Sequence, residues 1–555
     1  MARRTADGLA AFLALGGVLG IYSWSLWGNP AFGLLADQGY HLWLAEEFDR
    51  AWRDGDFPPR WAAGANGGRG SVGFSVCPPW FAFLTACWLR LSLSSVDALG
   101  LAVLTVTAGS FGAVYYLSRA WLSRRRSLAA ATVVVLLPGV TFLALGRGMF
   151  ANYAALAWAA LLLGAGQRYV FGHQPRRNGA LAVTAAAGLV LTHTLTAYLL
   201  ALLLLAISPL LRKALGWRGI VRATLAAGAA AGLTCWFWLP VAQARSSPQL
   251  GYLAASHPYL DSVIGLGGTA TGEPGLFRQD WEFLNDVGGY IVMAQSLLGL
   301  LLALSLGRRG PQEDRLAASR LPPESNATDS SVSDVLFLRA MPWVVGFAFA
   351  AATEPGARLL LQLPRFEWIQ FSWRFQLLIS LWCGVALASL PCHRKSLLPV
   401  GFAAALMVFF GPLASPVGAA LPQQRPDLPR VLSSEQFERL RPLERAAYAG
   451  NLIELRPNGI DTRYYLPAPF GRAEVIEGAA RVEPQILRTS YRRYRVETPT
   501  GATVRLVTYH ASGWSATLDG RSIEILMESE TGLQIVCVPA GDHQLDMEYR
   551  VAWRW

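Results

Sequence analysis

Asp37 and His41 stand one helical turn apart in LLADQGYHLWLAEEF, just after the first long apolar run. Residues four apart share one face of a helix. An ionisable group where a membrane-spanning segment ends is a functional-site candidate by default. A carboxylate so placed suits a general base that takes a proton from an attacking hydroxyl, and Tyr40 and His41 stand beside it. Polar residues interrupt apolar runs again at Arg147, Asn152 and His193, and between 354 and 374, where Glu354, Arg358, Arg365, Glu367, Gln370, Trp373 and Arg374 gather. Arginine is the side chain for phosphate at such a boundary, because its planar fork pairs two oxygens and stays charged when partly buried. The set fits transfer of a phosphate-activated group. Asp37 and His41 are the catalytic candidates; Tyr40, Arg147, His193, Gln370, Trp373 and Arg374 are the substrate-binding ones.

Membrane helices must position these groups. The chain of 555 residues is 53% hydrophobic and only 15% charged, with mean hydropathy +0.32. A soluble domain carries about 25% charged residues. Apolar runs of spanning length recur at 9–28, 97–118, 128–146, 150–171, 179–194, 195–211, 220–241, 290–306, 336–352, 373–391 and 397–414. About eleven transmembrane helices are expected on the rule that a span takes roughly 17–25 residues. The apolar piece 78–91 opens with Pro78-Pro79 and reads as a re-entrant or interfacial helix. The N-terminus lacks a small-residue cleavage pattern and reads as an uncleaved first span.

The net charge of +11 does not mark a nucleic-acid binder. Its arginines and lysines cluster at Arg124–Arg126, Arg176 and Arg177, Arg212–Arg222, Arg308–Arg315, and Arg394 and Lys395, all in alternate short loops. By the positive-inside rule those loops and the N-terminus are cytoplasmic. Segments 30–96, 245–289 and 415–555 are then external, and every candidate above falls on the external side. Asp37, His41, His193 and Arg374 are therefore expected to approach one external-facing cavity. Segment 308–335 has the composition of a disordered cytoplasmic tether, which puts the Asn326 sequon on the side where it is not glycosylated. Six cysteines without a CxxC pair indicate neither zinc nor a disulfide framework.

Beyond 414 the pattern changes. Within 485–555, residues 493–551 alternate as strands (RYRVET, ATVRLVTYH, IEILME), with turns at Asp519-Gly520 and Gly541-Asp542. They predict an external antiparallel β-sandwich after a linker at 415–484, with 1–414 as the transmembrane domain. The sandwich is expected to be dispensable for chemistry while contributing to acceptor handling or stability; Glu46 and Glu47 are expected on an interfacial helix, with Glu46 on its solvated face.

The stretch DQGYHLWLAEEF, with GDFPPRWAAGANGGRGSVGFSVCPPW after it, resembles the opening loop of bacterial membrane proteins of the "6-pyruvoyl-tetrahydropterin synthase-related" family. LTHTLTAYLL, FWLPVAQ, IQFSWRFQLL, YYLP and GWSATLDG resemble later pieces of it, with Ser372 where relatives commonly have proline. The architecture is similar to the type C glycosyltransferase (GT-C) superfamily. That resemblance implies a polyprenyl-phosphate sugar donor, a glycan, lipid or protein acceptor, and transfer on the outer face of a bacterial plasma membrane. Asp37 matches the loop-one acid that acts as base or metal ligand, and Arg60, Trp61 and Asn66 fall in the shared run as substrate-binding candidates. Many GT-C enzymes pair that acid with a second one; here Gln38 and Gly39 follow it. No cofactor is expected, and Asp37 is the one candidate ligand for a divalent metal. Two other classes compete: a non-catalytic assembly or export factor for envelope glycans, and a transporter. A transporter usually shows repeated halves, which this chain lacks.

Overall fold

The computed structural model describes residues 2–29, 32, 37–91, 93–243, 353–363, 372–389 and 471–550 (512 and 530 excepted), with short pieces between 291 and 351 and Phe366. The expected span 397–414, the loops 245–289 and 308–335, and most of the spans 290–306 and 336–352 lie outside the described residues. The helices are α1 (Ala2–Trp27), α2 (Asp37–Arg53), α3 (Ala65–Gly68), α4 (Gly73–Val76), α5 (Trp80–Leu89), α6 (Ser95–Ser118) and α7 (Arg124–Leu136). They continue with α8 (Pro138–Thr141), α9 (Phe150–Val170), α10 (Pro175–Thr192), α11 (Thr194–Ala206), α12 (Ser208–Gln243), α13 (Glu354–Leu360) and α14 (Gln376–Ser389). Among the described residues three helices are long and apolar enough to cross a membrane: Asp7–Trp27, Ser95–Ser118 and Leu215–Pro240. Arg124–Leu136 and Pro138–Gly146, bent by 46°, make a fourth if they form one span.

That bend departs from the straight span expected at 128–146. Leu137 is extended (ψ 143°) because the residue before a proline is pushed out of the helical region, and Pro138 then starts the next turn. A π-helical turn, Phe142–Gly146, follows. The expected division between 194 and 195 falls at His193, which is extended (φ −156°, ψ 92°) between α10 and α11. α5 has ten residues, too few to span a bilayer.

The chain divides into two compact units. The first comprises Met1–Pro30, Ala102–Thr234 and His257–Arg430, and its described elements are helical. Its core is knit by polar side chains as well as apolar ones. Tyr22 of α1 donates to the Val135 carbonyl of α7 (2.9 Å) and stacks on Tyr153 of α9 (6.0 Å between centroids); the Tyr153 hydroxyl meets Thr107 Oγ1 of α6 at 2.7 Å.

The second unit comprises Ala31–Leu101, Cys235–Ser256 and Val431–Trp555. Its strands are β1 (Ala473–Gly478), β2 (Arg481–Leu487), β3 (Tyr491–Thr498), β4 (Ala502–Tyr509), β5 (Trp514–Leu518), β6 (Arg521–Ile523), β7 (Leu526–Met527), β8 (Leu533–Val538) and β9 (Gly541–Tyr549). They form two antiparallel sheets, ordered β1-β4-β8-β7 and β2-β3-β9-β5-β6. The expected Asp519-Gly520 turn closes β5–β6, with both residues at positive φ (51° and 79°). Two boundaries differ from expectation. The sheets begin at Ala473, inside the supposed linker 415–484, because β1 and β2 are largely exposed and alternate weakly, and β2 carries Pro484 at a register shift. The first loop also groups with the sandwich instead of the transmembrane domain. Trp61 and Ala63 sit in the sandwich core with Tyr494, Val496, Val504, Leu506, Val536 and Leu545.

Candidate functional site

α2 carries the leading candidates. Asp37 opens its first turn and Arg50 and Arg53 close its last, so charges at both ends match the helix dipole. Asp37 is half-buried. One turn on, the Tyr40 hydroxyl meets Cys77 Sγ at 3.3 Å, and the Tyr40 and His41 rings lie 5.6 Å apart. His41 also stands edge-on to Phe81 of α5 at 5.4 Å. Burial among these rings pushes its pKa down to about 4, so the imidazole is neutral at physiological pH. A neutral imidazole can both donate and accept a hydrogen bond.

The acids further along α2 are engaged by the protein, which corrects the expectation of a solvated face at Glu46. Glu46 Oε1 accepts from Ser95 Oγ at 2.6 Å. Glu47 is buried, accepts from the Gly64 amide at 2.7 Å and pairs with Arg50 at 2.6 Å. Burial raises its pKa, with Arg50 and the amide opposing. A Cβ at Gly64 would stand 2.4 Å from Glu47 Oε1, which explains the glycine.

The conspicuous run after α2 packs the unit together. Arg60 Nη2 donates to the Trp236 carbonyl at 2.8 Å, and its guanidinium lies 4.8 Å from the centre of the Trp236 ring. Trp61 is 1% exposed, edge-on to Trp514 at 5.4 Å and 5.0 Å from Tyr549. Gly70, at φ +84°, lets the chain pass over that indole, since a Cβ there would come within 2.2 Å of it. A ring so enclosed has no face left for substrate, so the substrate-binding assignment of Trp61 is corrected to a packing one. The backbone places Asn66 in α3.

Two acids outside the candidate set, Asp54 and Asp56, join loop to sandwich. Asp54 Oδ2 accepts from the Thr489 amide (2.7 Å) and hydroxyl (2.6 Å). Asp56 bonds Ser490, and burial raises its pKa to about 6 against the opposing effects of Ser490 and Arg60. The only local signal was a DGD turn, with Gly55 at φ +90°.

The helical unit holds the remaining candidates. Arg147 is 1% exposed and follows the π-helical turn, whose Phe142 carbonyl accepts from its amide at 2.8 Å. His193 caps α11: its Nδ1 accepts from the Thr196 amide (3.1 Å) and lies 2.7 Å from Thr196 Oγ1, which donates to Asn152 Oδ1 (3.0 Å). Arg374 is 7% exposed in a 3₁₀ turn, Ser372–Phe375, that also contains Trp373. Gln370, Arg365 and Glu367 lie outside the described residues. Glu354 and Arg358 form an exposed ion pair on α13 at 2.7 Å. Asp37, Tyr40, His41, Arg60, Trp61 and Asn66 thus belong to one unit, and Arg147, His193, Trp373 and Arg374 to the other. Among the described residues no group of three His, Cys, Asp or Glu side chains could hold a metal ion.

No family model matches the chain, so the expected pterin-synthase-related family is not shown. No curated protein matches it. Similar solved structures include the Archaeoglobus fulgidus oligosaccharyltransferase tethered to an acceptor peptide with an NVT sequon (TM-score 0.39, 14% identity, 79% of this chain and 59% of that one). Another is ArnT from Cupriavidus metallidurans bound to undecaprenyl phosphate (TM-score 0.39, 14% identity, 81% and 76%). A third is AglB from Archaeoglobus fulgidus with an inhibitory peptide and a dolichol-phosphate (TM-score 0.35, 13% identity, 79% and 59%). The chain spans 59% of the length of the oligosaccharyltransferase.

Proposed function

We propose that this protein is an integral membrane glycosyltransferase that moves a sugar from a polyprenyl-phosphate donor to a glycan, lipid or protein acceptor on the external face of a bacterial plasma membrane. The observation that carries this reading is Asp37, a half-buried carboxylate that opens α2 shortly after the apolar helix α1 ends. In the reaction Asp37 takes the proton from an acceptor hydroxyl. The acceptor oxygen bonds to the anomeric carbon as that carbon's bond to the phosphate oxygen breaks, and the polyprenyl phosphate leaves with the electron pair. Neutral His41 and Tyr40 are hydrogen-bonding groups for the polar reactants. Arg147 and Arg374 are the charge type that a phosphate leaving group needs, and both are buried. Metal binding at Asp37 has no support from neighbouring acids on α2, since Glu46 and Glu47 are engaged elsewhere.

The test is turnover of a labelled polyprenyl-phosphate sugar by membranes carrying the chain. Asp37→Asn should lower it about 10²–10⁴-fold, the usual contribution of a positioned base. Glu354→Gln, on the exposed face of α13, is the control. Equal turnover in the two variants would sink the role of Asp37. The assembly-factor reading would then lead; the packing role of Trp61 in the shared motif is the observation that favours it.

A further inference from the structure

The sandwich is fastened to the first loop by contacts that converge on one end of α2. Asp54, the residue after the last of α2, grips both the amide and the hydroxyl of Thr489 in the β2–β3 turn, across 435 positions of sequence. Asp56 bonds the neighbouring Ser490. The Tyr549 amide donates to the Ser490 carbonyl at 2.8 Å, tying the same turn to the end of β9. A few residues further, Trp61 fills the sandwich core between Trp514 and Tyr549, and the Tyr509 amide donates to the Arg69 carbonyl at 2.8 Å.

These attachments reach α2 by two routes. One is direct, through Asp54. The other runs from the Trp61 segment, where Ala62 and Ser71 form a bridge, through the Gly64 amide to the buried Glu47 carboxylate in mid-helix. An α-helix of 17 residues is a stiff rod about 25 Å long. A shift at its Asp54 end is therefore carried to Asp37 at the other.

We propose that the β-sandwich is the positioning element for Asp37: through Asp54–Thr489 and the inserted Trp61 it sets the orientation of α2, and loop and sandwich work as one piece. The catalytic part of this inference rests on the reading of Asp37 as the base. It reverses the expectation that the sandwich is dispensable for chemistry. Removing 485–555 would uncover Trp61 and release Asp54, loosening α2 even though the sandwich brings no base of its own to the reaction.

The experiment uses the full chain in lipid nanodiscs, with Asp54→Ala, Asp54→Asn, Thr489→Val and, as control, Arg495→Gln on the exposed face of β3. Hydrogen exchange over residues 37–53 reads the holding role without any donor. Kinetics with a labelled polyprenyl-phosphate sugar read the catalytic role. Asp54→Ala should speed exchange along α2 and lower kcat by roughly ten- to a hundredfold, the effect of a misplacement near 1 Å. The donor KM should stay within about twofold, because substrate binding is untouched. Asp54→Asn keeps an acceptor oxygen for the Thr489 amide and should recover most of kcat; Thr489→Val should fall between, and Arg495→Gln should match the wild type. Unchanged α2 exchange in Asp54→Ala would overturn the proposal, as would a kcat loss that Asp54→Asn does not rescue. A wild-type chain without turnover would instead sink the transferase reading, with exchange alone deciding whether the sandwich holds α2.

Discussion

The two units satisfy their buried polar groups by opposite means. In the helical unit, neutral hydrogen bonds cross between helices: Tyr22 to Val135, Thr107 to Tyr153, Tyr116 to Asn178, Thr196 to Asn152, Ser380 to Gln295. In the loop-and-sandwich unit, charged pairs dominate: Glu47 with Arg50, Asp49 with Arg53 and Arg90, Arg505 with Glu474 and Glu528, Arg493 with Asp546. The contrast is the one expected between lipid and water as solvents. Where lipid replaces water, an ion pair loses more hydration than its attraction returns, whereas a neutral bond between helices costs little and fixes their register. Where water reaches, charged pairs are tolerable and their long side chains cover apolar surface. Arg147 and Arg374 are buried charges set among these neutral bonds, a placement that makes them functional-site candidates.

The comparison can be broken in several places. The largest effect should come from Asp37→Asn, with turnover down about 10²–10⁴-fold and thermal stability unchanged. Preserved turnover would leave α2 with a packing role alone. Next comes Trp61→Ala, which empties the sandwich core of its loop-one side chain. A buried tryptophan cut to alanine costs about 3–5 kcal/mol. Denaturant unfolding followed by Trp fluorescence should register that loss in the loop-and-sandwich unit, and a loss under about 1 kcal/mol would mean a sandwich that closes without Trp61.

A smaller effect carries a pH signature. Asp56 has its pKa raised from 3.8 to about 6, so burial favours its protonated form. Its contribution to stability is full below pH 3.8 and lost as the pH rises through about 6. Asp56→Asn should therefore gain on the wild type progressively between those values, with a level difference above. His41 works the other way. Its pKa falls from 6.5 to about 4, so its contribution is full above pH 6.5 and lost as the pH falls through about 4. The pH–rate profile should accordingly lack an acidic limb near 6.5 arising from His41.

In the helical unit, Thr196→Val removes the hydroxyl between His193 and Asn152. It should cost about 0.6–2 kcal/mol, the range for an interhelical hydrogen bond in a membrane, and Thr196→Ser should restore it. The smallest effect belongs to Arg495→Gln, an exposed pair with Asp542 whose removal should leave the unfolding midpoint where it was. A large loss there would mean that surface pairs carry more of the sandwich than its core does.

Some of the site was legible and some was not. Asp37 and His41 could be picked out because an acid and an imidazole one turn apart are rare beside an apolar run, and both prove to lie on one helix. The run around Arg60 and Trp61 was equally conspicuous, but for a different reason. Its tryptophan is held by Trp514 and Tyr549, partners hundreds of positions away, and Gly70 is required where the chain passes close over that ring. Residue type alone cannot separate a ring that stacks on a substrate from one that fills a core.

Taken by itself, the sequence determined what depends on neighbours along the chain. Hydropathy marked the apolar helices, period-two alternation marked β3, β4 and β9, and Asp519-Gly520 marked a hairpin. Each is set by backbone sterics or by which face of an element meets water, and both are local properties. Only the tertiary structure decided that Glu47 is buried, that His193 spends its Nδ1 on a helix cap, and that Asp54 holds Thr489. A hydrogen bond or a packed ring needs a particular partner at a particular distance, and nothing in a run of ten residues says which distant turn will arrive there. The chain also hid its first loop inside its last domain, because burial of one indole is shared between segments at its two ends.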